Sequence, residues 1–356
     1  STKKYEAMAN AAGTDDRVRG LTQYYGAART GRWAGRLIQL QNLPQNHLEG
    51  IGDVREIVRT RDLELLEMMY SNVPDVLSQL IRTALVAKPG HTFLVSDYAA
   101  IEARVIAWLA GEQWRMDVFA QGGDIYCSSA SQMFKVPVVK HGVNGHLRQK
   151  GKIAELACGY GGGVGALKAF GADKMGLSEE EMQDIVTQWR LASPTIPKFW
   201  RDTENAAKLA LQNPGRRFKI PSCNVRYWRD ADALRCQLPS GRLLSYWGAR
   251  LDNDGSICFM GQNQTTRKWE KTETWGGKLV ENIVQAIARD CLAVALLRLD
   301  AAGYAITFHV HDEIIAEAPE SSRWEDMAEI MGRSIPWAEG LLLRGDGYDT
   351  RFYMKD

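Results

Sequence analysis

Apolar positions recur with strand-like and helix-like periods in the first third of the chain. The run HTFLVSDY (91–98) is short, apolar and β-prone, and it predicts a strand. AAIEARVIAWLAG (99–111) predicts a helix closed by its glycine, and NVPDVLSQLIRTALVA (72–87) also has helical spacing. By contrast, TGRWAGRLIQLQNLPQ (30–45) is polar and interrupted by glycines, which predicts extended chain or loop.

The rest of the chain contains a long helical stretch followed by strands. The pattern is mainly helical from residue 112 to about 205, and residues 215–260 predict strands joined by turns. Residues 278–303 predict a long amphipathic helix, and the last forty residues predict helix followed by irregular chain. This order suggests one sheet built from two separated segments, with the middle projecting as its own subdomain.

Charged residues interrupt an apolar, β-prone segment at TFHVHDEIIAEAP (307–319). If 305–316 were one continuous strand, Asp312 would share a face with four apolar side chains: Ile306, Phe308, Val310 and Ile314. An unpaired carboxylate is costly to bury, so either the chain turns at His311 and Asp312, or Asp312 binds a metal ion, or both. An exposed hairpin tip is the simpler alternative, although Gly, Asn and Pro are absent from it.

Asp97 stands at another strand end, where the 91–98 strand gives way to a helix. It could cap that helix, and Glu102 could be a first-turn acid that suits the helix dipole. Alternatively, Asp97 and Asp312 could form an oxygen-rich pair above the sheet. Hard oxygen ligands select Mg²⁺ or Mn²⁺ over zinc, so such a pair would predict a site for one of these ions.

A cationic face is predicted on the helix that contains RQKGKIAELACGYG (148–161). Four residues recur every four positions and occupy a sector of roughly 120°: Arg148, Lys152, Leu156 and Tyr160. Two cations followed by an aromatic ring suit a triphosphate followed by a base. A solvated helix face is the alternative, because cations at this spacing are common on surfaces.

Composition excludes several classes of protein. The 356 residues are 45% hydrophobic and 24% charged, and the formal net charge is +1, so binding to nucleic acid or a membrane must depend on local patches. Six cysteines without a Cys-x-x-Cys pair predict reduced thiols of a cytoplasmic protein. No apolar run approaches the ~20 residues of a membrane span. The chain begins with Ser and without a signal-peptide pattern, so we expect a fragment or a processed chain.

One local basic patch lies at residues 213–229. It contains no acid, and its cations surround Tyr227 and Trp228: Arg216, Arg217, Lys219, Arg226 and Arg229. Basic residues interleaved with aromatic residues suit a nucleic-acid backbone. A solvated β surface is the alternative.

Three stretches resemble, in order and with suitable spacing, motifs A, B and C of family A DNA polymerases. They are DYAAIEAR (97–104), RQKGKIAELACGYG (148–161) and VHDE (310–313). TGRWAGRLIQLQNLP (30–44) is similar to that family's TGR…LQN-hydrophobic-Pro stretch, and ENIVQAIARD (281–290) is similar to its Gln-bearing palm helix. The sequence around these motifs is most similar to that of polymerases encoded by phages and prophages.

The resemblance implies an α+β fold with the right-hand polymerase architecture, in which an antiparallel palm sheet carries a mainly helical fingers insertion. The implied palm comprises 30–112 and 278–356, and the implied fingers comprise 113–277 with a β-rich basic segment at 213–260. Residues 1–29 would be a remnant of the thumb, which is expected to be largely absent. No 3′→5′ exonuclease domain is expected in this chain.

The resemblance also implies template-directed addition of dNTPs to a primer 3′-OH, with release of pyrophosphate, by the two-metal-ion mechanism. Asp97, Asp312 and the backbone carbonyl of Tyr98 would bind two Mg²⁺ ions, for which Mn²⁺ could substitute. Glu313 would support this metal site.

The resemblance assigns further residues to the nucleotide and to DNA. Arg148 and Lys152 would hold the triphosphate, and Tyr160 would lie near the nascent base pair. Glu102 would be the steric gate that excludes a ribose 2′-OH. The expected primer–template contacts are Arg32, Gln41, Asn42, Gln285 and His311.

Three positions depart from the family pattern. Leu156 stands where the family usually has Phe or Tyr against the sugar, which leaves dideoxynucleotide selectivity open. Tyr126, expected beside the dNTP, replaces a His that helps to bind phosphate, and Glu281 stands where Asn is common.

Two alternatives to a DNA polymerase remain at this point. A single-subunit RNA polymerase would share the aspartates and the cationic helix, although the bulky Glu102 disfavours ribose. A truncated core could instead bind primer–template or a partner without turnover. The expected location is the cytoplasm, at the nucleoid or a phage replication site. Separate thumb or exonuclease segments or other replication proteins are possible partners, and no membrane is expected.

Overall fold

The computed structural model of the protein describes residues 2–263 and 266–355. Its chain divides into two compact units. The first unit comprises Ser1–Ala99, Leu292–Arg333 and Arg344–Asp356. The second unit comprises Ala100–Cys291 and Ser334–Leu343.

Helices and strands are distributed over both units. The helices are α1 (Thr2–Ala11), α2 (Ile51–Thr60), α3 (Leu63–Met69), α4 (Val73–Gln79), α5 (Ile101–Ala110), α6 (Gln113–Ala120), α7 (Ile125–Phe134), α8 (Arg148–Cys158), α9 (Val164–Ala169), α10 (Glu179–Ala192), α11 (Thr195–Gln212), α12 (Gly276–Ala301) and α13 (Trp324–Gly332). The strands are β1 (Thr22–Gln23), β2 (Ala34–Gly35), β3 (His91–Tyr98), β4 (Phe218–Lys219), β5 (Arg226–Arg229), β6 (Ala233–Gln237), β7 (Leu243–Leu251), β8 (Ile257–Gln262), β9 (Trp269–Thr274), β10 (Ala305–Val310), β11 (Glu313–Pro319) and β12 (Gly345–Thr350).

The first unit contains a four-stranded antiparallel sheet in the order β10-β11-β3-β12. This arrangement confirms the strand at 91–98 and the single sheet built from separated segments. The expected irregular chain near the C-terminus is wrong, because 345–350 form the edge strand β12 beside β3. Its sequence GDGYDT lacks apolar alternation, so its pairing with β3 and its contact with α13 determine the strand.

One face of this sheet packs on an apolar core of the first unit. Phe93 and Val95 of β3 are buried there with Ile315 of β11. The Phe308 ring lies edge-on to both Phe93 and Tyr353, with centroids 6.1 and 5.0 Å apart. These aromatic contacts hold the C-terminal segment against the β10–β11 hairpin.

The second unit combines helices α5 to α11 with a six-stranded antiparallel meander in the order β4-β5-β6-β7-β8-β9. The strands predicted within 215–260 are therefore confirmed. The sheet also continues beyond that segment, through β9. Helix α11 packs on one of its faces.

Two predicted helices are shorter than expected. The helix predicted at 72–87 is regular only over Val73–Gln79 and is followed by a 3₁₀ turn at Arg82–Ala84. In this turn the Arg82 guanidinium donates to the carbonyls of Leu43 and Pro44. Helix α8 ends at Cys158, so Tyr160 lies beyond it rather than on its last turn.

Candidate active site

Asp97 and Asp312 meet in the first unit at the end of β3. Asp97 pairs across the sheet with Glu313 on one side and with Asp346 on the other. Asp312 occupies the turn between β10 and β11, and its carbonyl accepts a hydrogen bond from the Tyr98 amide at 3.3 Å. The chain therefore turns at Asp312, which confirms one of the two solutions proposed for this carboxylate.

The cap proposed for Asp97 is wrong. The residue that precedes α5 is Ala100, in the left-handed region with φ 51°, and it makes no side-chain capping bond. Because Phe93 and Val95 share the Asp97 side of β3, the Asp97 carboxylate lies where the buried row ends. It belongs with the other acids of the sheet edge.

Carboxylates crowd this edge and perturb one another. Burial, and then the charges of Asp312 and Glu313, raise the pKa of Asp97 to about 6. Burial also raises the pKa of Asp312, although Lys355, His311 and Arg32 oppose that rise. A cation bound between these carboxylates would reduce their mutual repulsion and favour their ionised form.

Glu313 is turned into a buried network rather than into solvent. Tyr353 Oη donates to its Oε1 at 2.7 Å, and Lys355 Nζ lies 3.2 Å from its Oε2. Arg82 reaches the Tyr353 hydroxyl at 3.4 Å. These contacts hold the acid next to Asp312 in one orientation.

The same network reaches the segment predicted to contact DNA. Arg82 donates to the carbonyls of Leu43 and Pro44 at 2.6 and 2.7 Å. Asn46 forms two hydrogen bonds with the backbone of Lys355. The backbone N–H of Asn46 donates to the Lys355 carbonyl at 3.1 Å, and the Asn46 side-chain Oδ1 accepts from the backbone N–H of Lys355 at 2.9 Å. The aspartate hairpin, formed by β10, β11 and the turn that contains Asp312, is thus connected to residues 43–46 through the C-terminal segment.

The predicted DNA contacts of the first unit flank this segment. His311 is exposed at the hairpin with φ 55°, and Arg32 is close enough to Asp312 to act on its pKa. The Gln41 side chain packs against Gly35, and a Cβ atom at position 35 would lie 2.2 Å from Gln41 Oε1. Asn42 is exposed and donates to Gln39 Oε1 at 3.1 Å. The other predicted contact, Gln285, is half-buried on α12 in the second unit.

Arg148 begins α8 in the second unit and is engaged by an acid. Its Nε donates to Asp124 Oδ2 at 2.7 Å, and its guanidinium lies 5.2 Å from the centroid of the Tyr126 ring. Asp124 also caps α7 by accepting from the amides of Tyr126 and Cys127. Burial would raise the pKa of Asp124, but these bonds, with Arg148 first, lower it below its ordinary value.

Tyr160 and Glu102 form a direct contact. The Tyr160 hydroxyl donates to Glu102 Oε2 at 2.6 Å, and Glu102 lies in the first turn of α5. The interaction restrains the Glu102 carboxylate, which is expected to be the sugar gate. Arg148, Glu102 and Tyr160 therefore all belong to the second unit.

The exposed side of α8 carries the other two predicted contacts. Lys152 and Leu156 are exposed, whereas Glu155 points inward and forms an ion pair with the fully buried Arg115. Trp189 Nε1 also donates to Glu155 at 2.8 Å. This inward anchor fixes which side of α8 faces solvent.

Several site residues were not predicted from the sequence. Asp346 joins the acidic sheet edge, Tyr353 and Lys355 hold Glu313, and Asp124 pairs with Arg148. The one sequence signal for them is that Asp124 precedes a helical run, where a cap is common. The other three depend on strand pairing and on contacts with the C-terminal segment.

In the part of the chain that the structure describes, no group of three or more His, Cys, Asp or Glu side chains is arranged to hold a metal ion. Asp97 and Asp312 are therefore a two-carboxylate set. Across residues 2–263 and 266–355, no helix is both long and apolar enough to cross a membrane.

Comparison with known proteins identifies the family. The sequence pattern of "DNA polymerase family A" matches residues 2–343, and the chain belongs to that family. It is 50% identical over 362 residues to the DNA polymerase of Bacillus phage SP02, and the match covers all of this chain. It is 24% identical over 260 residues, 72% of this chain, to the DNA polymerase of Mycobacterium phage D29.

A solved structure shares the fold. The POL domain of Pol1 from M. smegmatis, in complex with DNA primer-template and dNTP, aligns with 98% of this chain at a TM-score of 0.64 and 20% identity. This likeness confirms the mixed helix and antiparallel-sheet architecture. The chain spans 55% of the phage SP02 polymerase, 34% of the phage D29 polymerase and 50% of the M. smegmatis chain.

Proposed function

We propose that this chain carries the catalytic centre of a template-directed DNA polymerase that adds dNTPs to a primer 3′-OH. The observation that carries the proposal is the sheet edge where β3 and the β10–β11 turn bring Asp97 and Asp312 together. The family relationship supports the same function, as does the sequence similarity to phage DNA polymerases.

The acidic edge suits divalent metal ions. Burial and mutual repulsion raise the pKa of Asp97 to about 6, which marks an excess of negative charge that a cation would relieve. We propose that Asp97, Asp312 and the Tyr98 carbonyl hold two Mg²⁺ ions, with Mn²⁺ as a substitute. When bound, such ions activate the primer hydroxyl and neutralise the leaving pyrophosphate.

Glu313 has a supporting role in this proposal. Its two oxygens are occupied by Tyr353 and Lys355, so it positions the aspartate turn and adds negative charge nearby without serving as a metal ligand. Lys355 would balance part of that charge. The contacts of Glu313 with Tyr353 and Lys355 thus hold the turn that contains Asp312 in place.

Arg148 and Lys152 are proposed to bind the triphosphate. Arg148 forms an ion pair with Asp124. When the triphosphate binds, the Arg148 guanidinium would exchange this carboxylate for phosphate oxygens, which it can bind with the same geometry. Lys152 is exposed and reaches solvent as a point charge. Tyr126 would contribute its ring beside Arg148, as the 5.2 Å contact suggests.

Tyr160, Glu102 and Leu156 are proposed to select the nucleotide. The hydrogen bond between Tyr160 and Glu102 supports a restrained, bulky group where a ribose hydroxyl would otherwise fit. Leu156 is exposed on α8 and offers a small apolar surface to the sugar. These features favour dNTPs over rNTPs.

We propose that primer–template DNA is the partner and that Arg32, Gln41, Asn42, Gln285 and His311 contact it. Arg32 and His311 lie near Asp312, and Gln41 and Asn42 directly precede the 43–46 segment. The proposed palm is 30–112 with 278–356, the proposed fingers are 113–277, and residues 1–29 are proposed to belong to the thumb or its base. Such a polymerase would act in the cytoplasm, with other replication proteins as further partners.

Primer extension with Mg²⁺ tests this function. The parent chain, Asp312→Asn and Asp349→Asn are compared on a primed template; Asp349 is an exposed acid of β12 in the same sheet. We expect extension by the parent and by Asp349→Asn, and a loss of at least about a hundredfold in Asp312→Asn. If the parent binds primer–template but extends no better than Asp312→Asn, the chain is a binding core without turnover.

A further inference from the structure

The six-stranded sheet of the second unit has one covered and one exposed face. Residues that pair across antiparallel strands point to the same side, so Tyr227, Cys236 and Leu244 share a face, and all three are buried. Helix α11 packs on this side, and Asn282 donates to the Tyr246 hydroxyl at 3.1 Å. The opposite face is turned to solvent.

Three tryptophans lie on the exposed face, one on every second strand. Trp228 of β5 pairs with Arg235, and Trp247 of β7 pairs with Met260, which in turn pairs with Lys271. Trp269 precedes Lys271 by two positions on β9 and so points to the same side. Trp247 and Trp269 are 46% and 61% exposed. From strand spacing, successive tryptophans lie roughly 12 Å apart.

Cations lie beside these rings. The Arg217 guanidinium lies 4.5 Å from the centroid of Trp228, and that of Arg235 lies 4.8 Å from the centroid of Trp247. Arg226 and Lys271 are exposed on the same face. Trp228 and Trp247 are therefore each in contact with a group that attracts phosphate, and Lys271 lies two positions from Trp269 on the same strand.

Acids are also present at this face, but cations outnumber them. Asp230 pairs with Arg235, Asp252 pairs with Lys271, and Glu273 follows Lys271 by two positions. Arg250 pairs across the sheet with Cys258, which pairs with Glu273. The surplus of positive charge lies at the Arg217 and Arg226 end, within the acid-free segment 213–229.

We propose that this face, defined by Trp228, Trp247 and Trp269 with their neighbouring cations, binds single-stranded nucleic acid. Bases would stack on the rings, and the sugar–phosphate chain would follow the cations between them. Duplex DNA keeps its bases stacked on one another, so it cannot use the rings in this way. The site goes beyond the proposed polymerase function, because none of its residues belongs to the predicted catalytic set.

Charge complementarity favours nucleic acid over a protein partner. Arginine stacked on tryptophan is common in both kinds of interface. The unbalanced positive charge at the Arg217 and Arg226 end, within the acid-free segment 213–229, is what suits a polyanion. Aromatic rings interleaved with cations are typical of surfaces that bind single strands without sequence preference. We therefore expect this face to bind single strands of any base composition.

Photo-crosslinking tests where a single strand binds. An oligonucleotide of about 30 nucleotides that contains 5-iododeoxyuridine is crosslinked to the parent chain without Mg²⁺ or dNTP, and the adducts are located by mass spectrometry. We expect adducts on Trp228, Trp247 or Trp269. Adducts confined to residues outside 213–274 would overturn the proposal. Because no turnover is needed, failure of the polymerase proposal would not affect this result.

Affinity measurements test the rings and the charge separately. Fluorescence anisotropy with labelled oligo-dT compares the parent with Trp247→Ala/Trp269→Ala and with Leu191→Ala, an exposed residue of α10. We expect a loss of at least about fivefold in the tryptophan variant only, and little competition by blunt duplex. Arg226→Glu should reduce the salt dependence of binding, whereas Arg201→Glu, an exposed cation of α11, should not.

Three results contradict the proposal. They are unchanged oligo-dT affinity in the tryptophan variant, equal competition by blunt duplex, and loss of self-association by that variant with DNA binding intact. The last result would assign the face to a protein contact. If the tryptophan variant fails to fold by circular dichroism, the Arg226→Glu comparison and the crosslinks decide the question.

Discussion

Tyr353 donates a hydrogen bond of 2.7 Å from its Oη to Oε1 of Glu313, across 40 positions of sequence. Glu313 directly follows Asp312 and is buried, so the tyrosine fixes the acid that adjoins the aspartate turn. Burial first, and then the neighbouring carboxylate, raise the pKa of Tyr353 well above its ordinary value. Tyr353 therefore stays protonated and remains a donor to Glu313.

Tyr353→Phe should destabilise the protein while it leaves the ring against Phe308. A buried carboxylate oxygen would lose its partner, which costs about 1–3 kcal/mol in the free energy of unfolding. Chemical denaturation measures this loss. Tyr5→Phe is the matched control, because it removes an exposed hydrogen bond of the same length to the Leu77 carbonyl and should cost at most about 1 kcal/mol. Equal losses in the two variants would contradict the role of Tyr353.

The sequence predicted the parts of this site that depend on local pattern. The strand at 91–98 and the turn at Asp312 follow from apolar periodicity and from the high energy of a buried carboxylate. Strand β12 has no such pattern, since Gly345 and Gly347 interrupt it, and it exists because β3 offers a free edge and α13 covers it. Its acid, Asp346, could therefore not be assigned to the site in advance.

The supporting contacts were unpredictable for a related reason. Lys355 reaches Glu313 from 42 positions away, and Arg82 reaches Tyr353 from 271 positions away. No periodicity connects residues so distant in sequence. Asp124 is an intermediate case, because its cap of α7 has a sequence signature but its ion pair with Arg148 does not.

Mg²⁺ should raise the thermal stability of the chain through the two aspartates. A ligand that binds only the folded state stabilises it by about 2.7 kcal/mol at a concentration about 100 times its Kd. We expect Mg²⁺ to raise the Tm of the parent and of Asp349→Asn, but not that of Asp312→Asn. A thermal shift in Asp312→Asn as large as in the parent would show that the ion binds elsewhere.

Glu102→Ala should increase the use of rNTPs. Removal of the side chain opens the volume that a ribose 2′-OH would occupy, and we expect incorporation of rNTPs relative to dNTPs to rise at least about tenfold. Tyr160→Phe removes only the 2.6 Å hydrogen bond to Glu102, so its effect should be smaller. Single-nucleotide extension with each substrate measures the ratio. Equal extension with rNTPs by the parent would exclude Glu102 as a gate.

Asp124→Asn should tighten dNTP binding. Asn can still cap α7, but it no longer competes as an anion for Arg148, whose ion pair is about one-quarter exposed on each side. A pair of this exposure is worth about 0.5–1 kcal/mol, so the KM for dNTP should fall about two- to fivefold with little change in kcat. A rise in KM would instead indicate that Asp124 orients Arg148 for the triphosphate.

The ion-pair network of Glu317 should make stability depend on acid pH. Burial would raise its pKa, but Arg17 at 2.9 Å and the Lys88 amide at 2.8 Å lower it below 4.5. A lowered folded-state pKa contributes stability above the ordinary pKa, and that contribution disappears as pH falls through the folded-state value.

Glu317→Gln should therefore lower the free energy of unfolding by about 1–3 kcal/mol near neutral pH, with solvent screening at the partly exposed Arg17 included. The difference from the parent should narrow below pH 4.5 and vanish in stronger acid. Denaturant titrations over this range measure it. Glu320→Gln, which breaks the exposed pair with Arg351, should cost less than about 1 kcal/mol throughout. A loss in Glu317→Gln that stayed constant with pH would mean that packing, rather than charge, holds this residue.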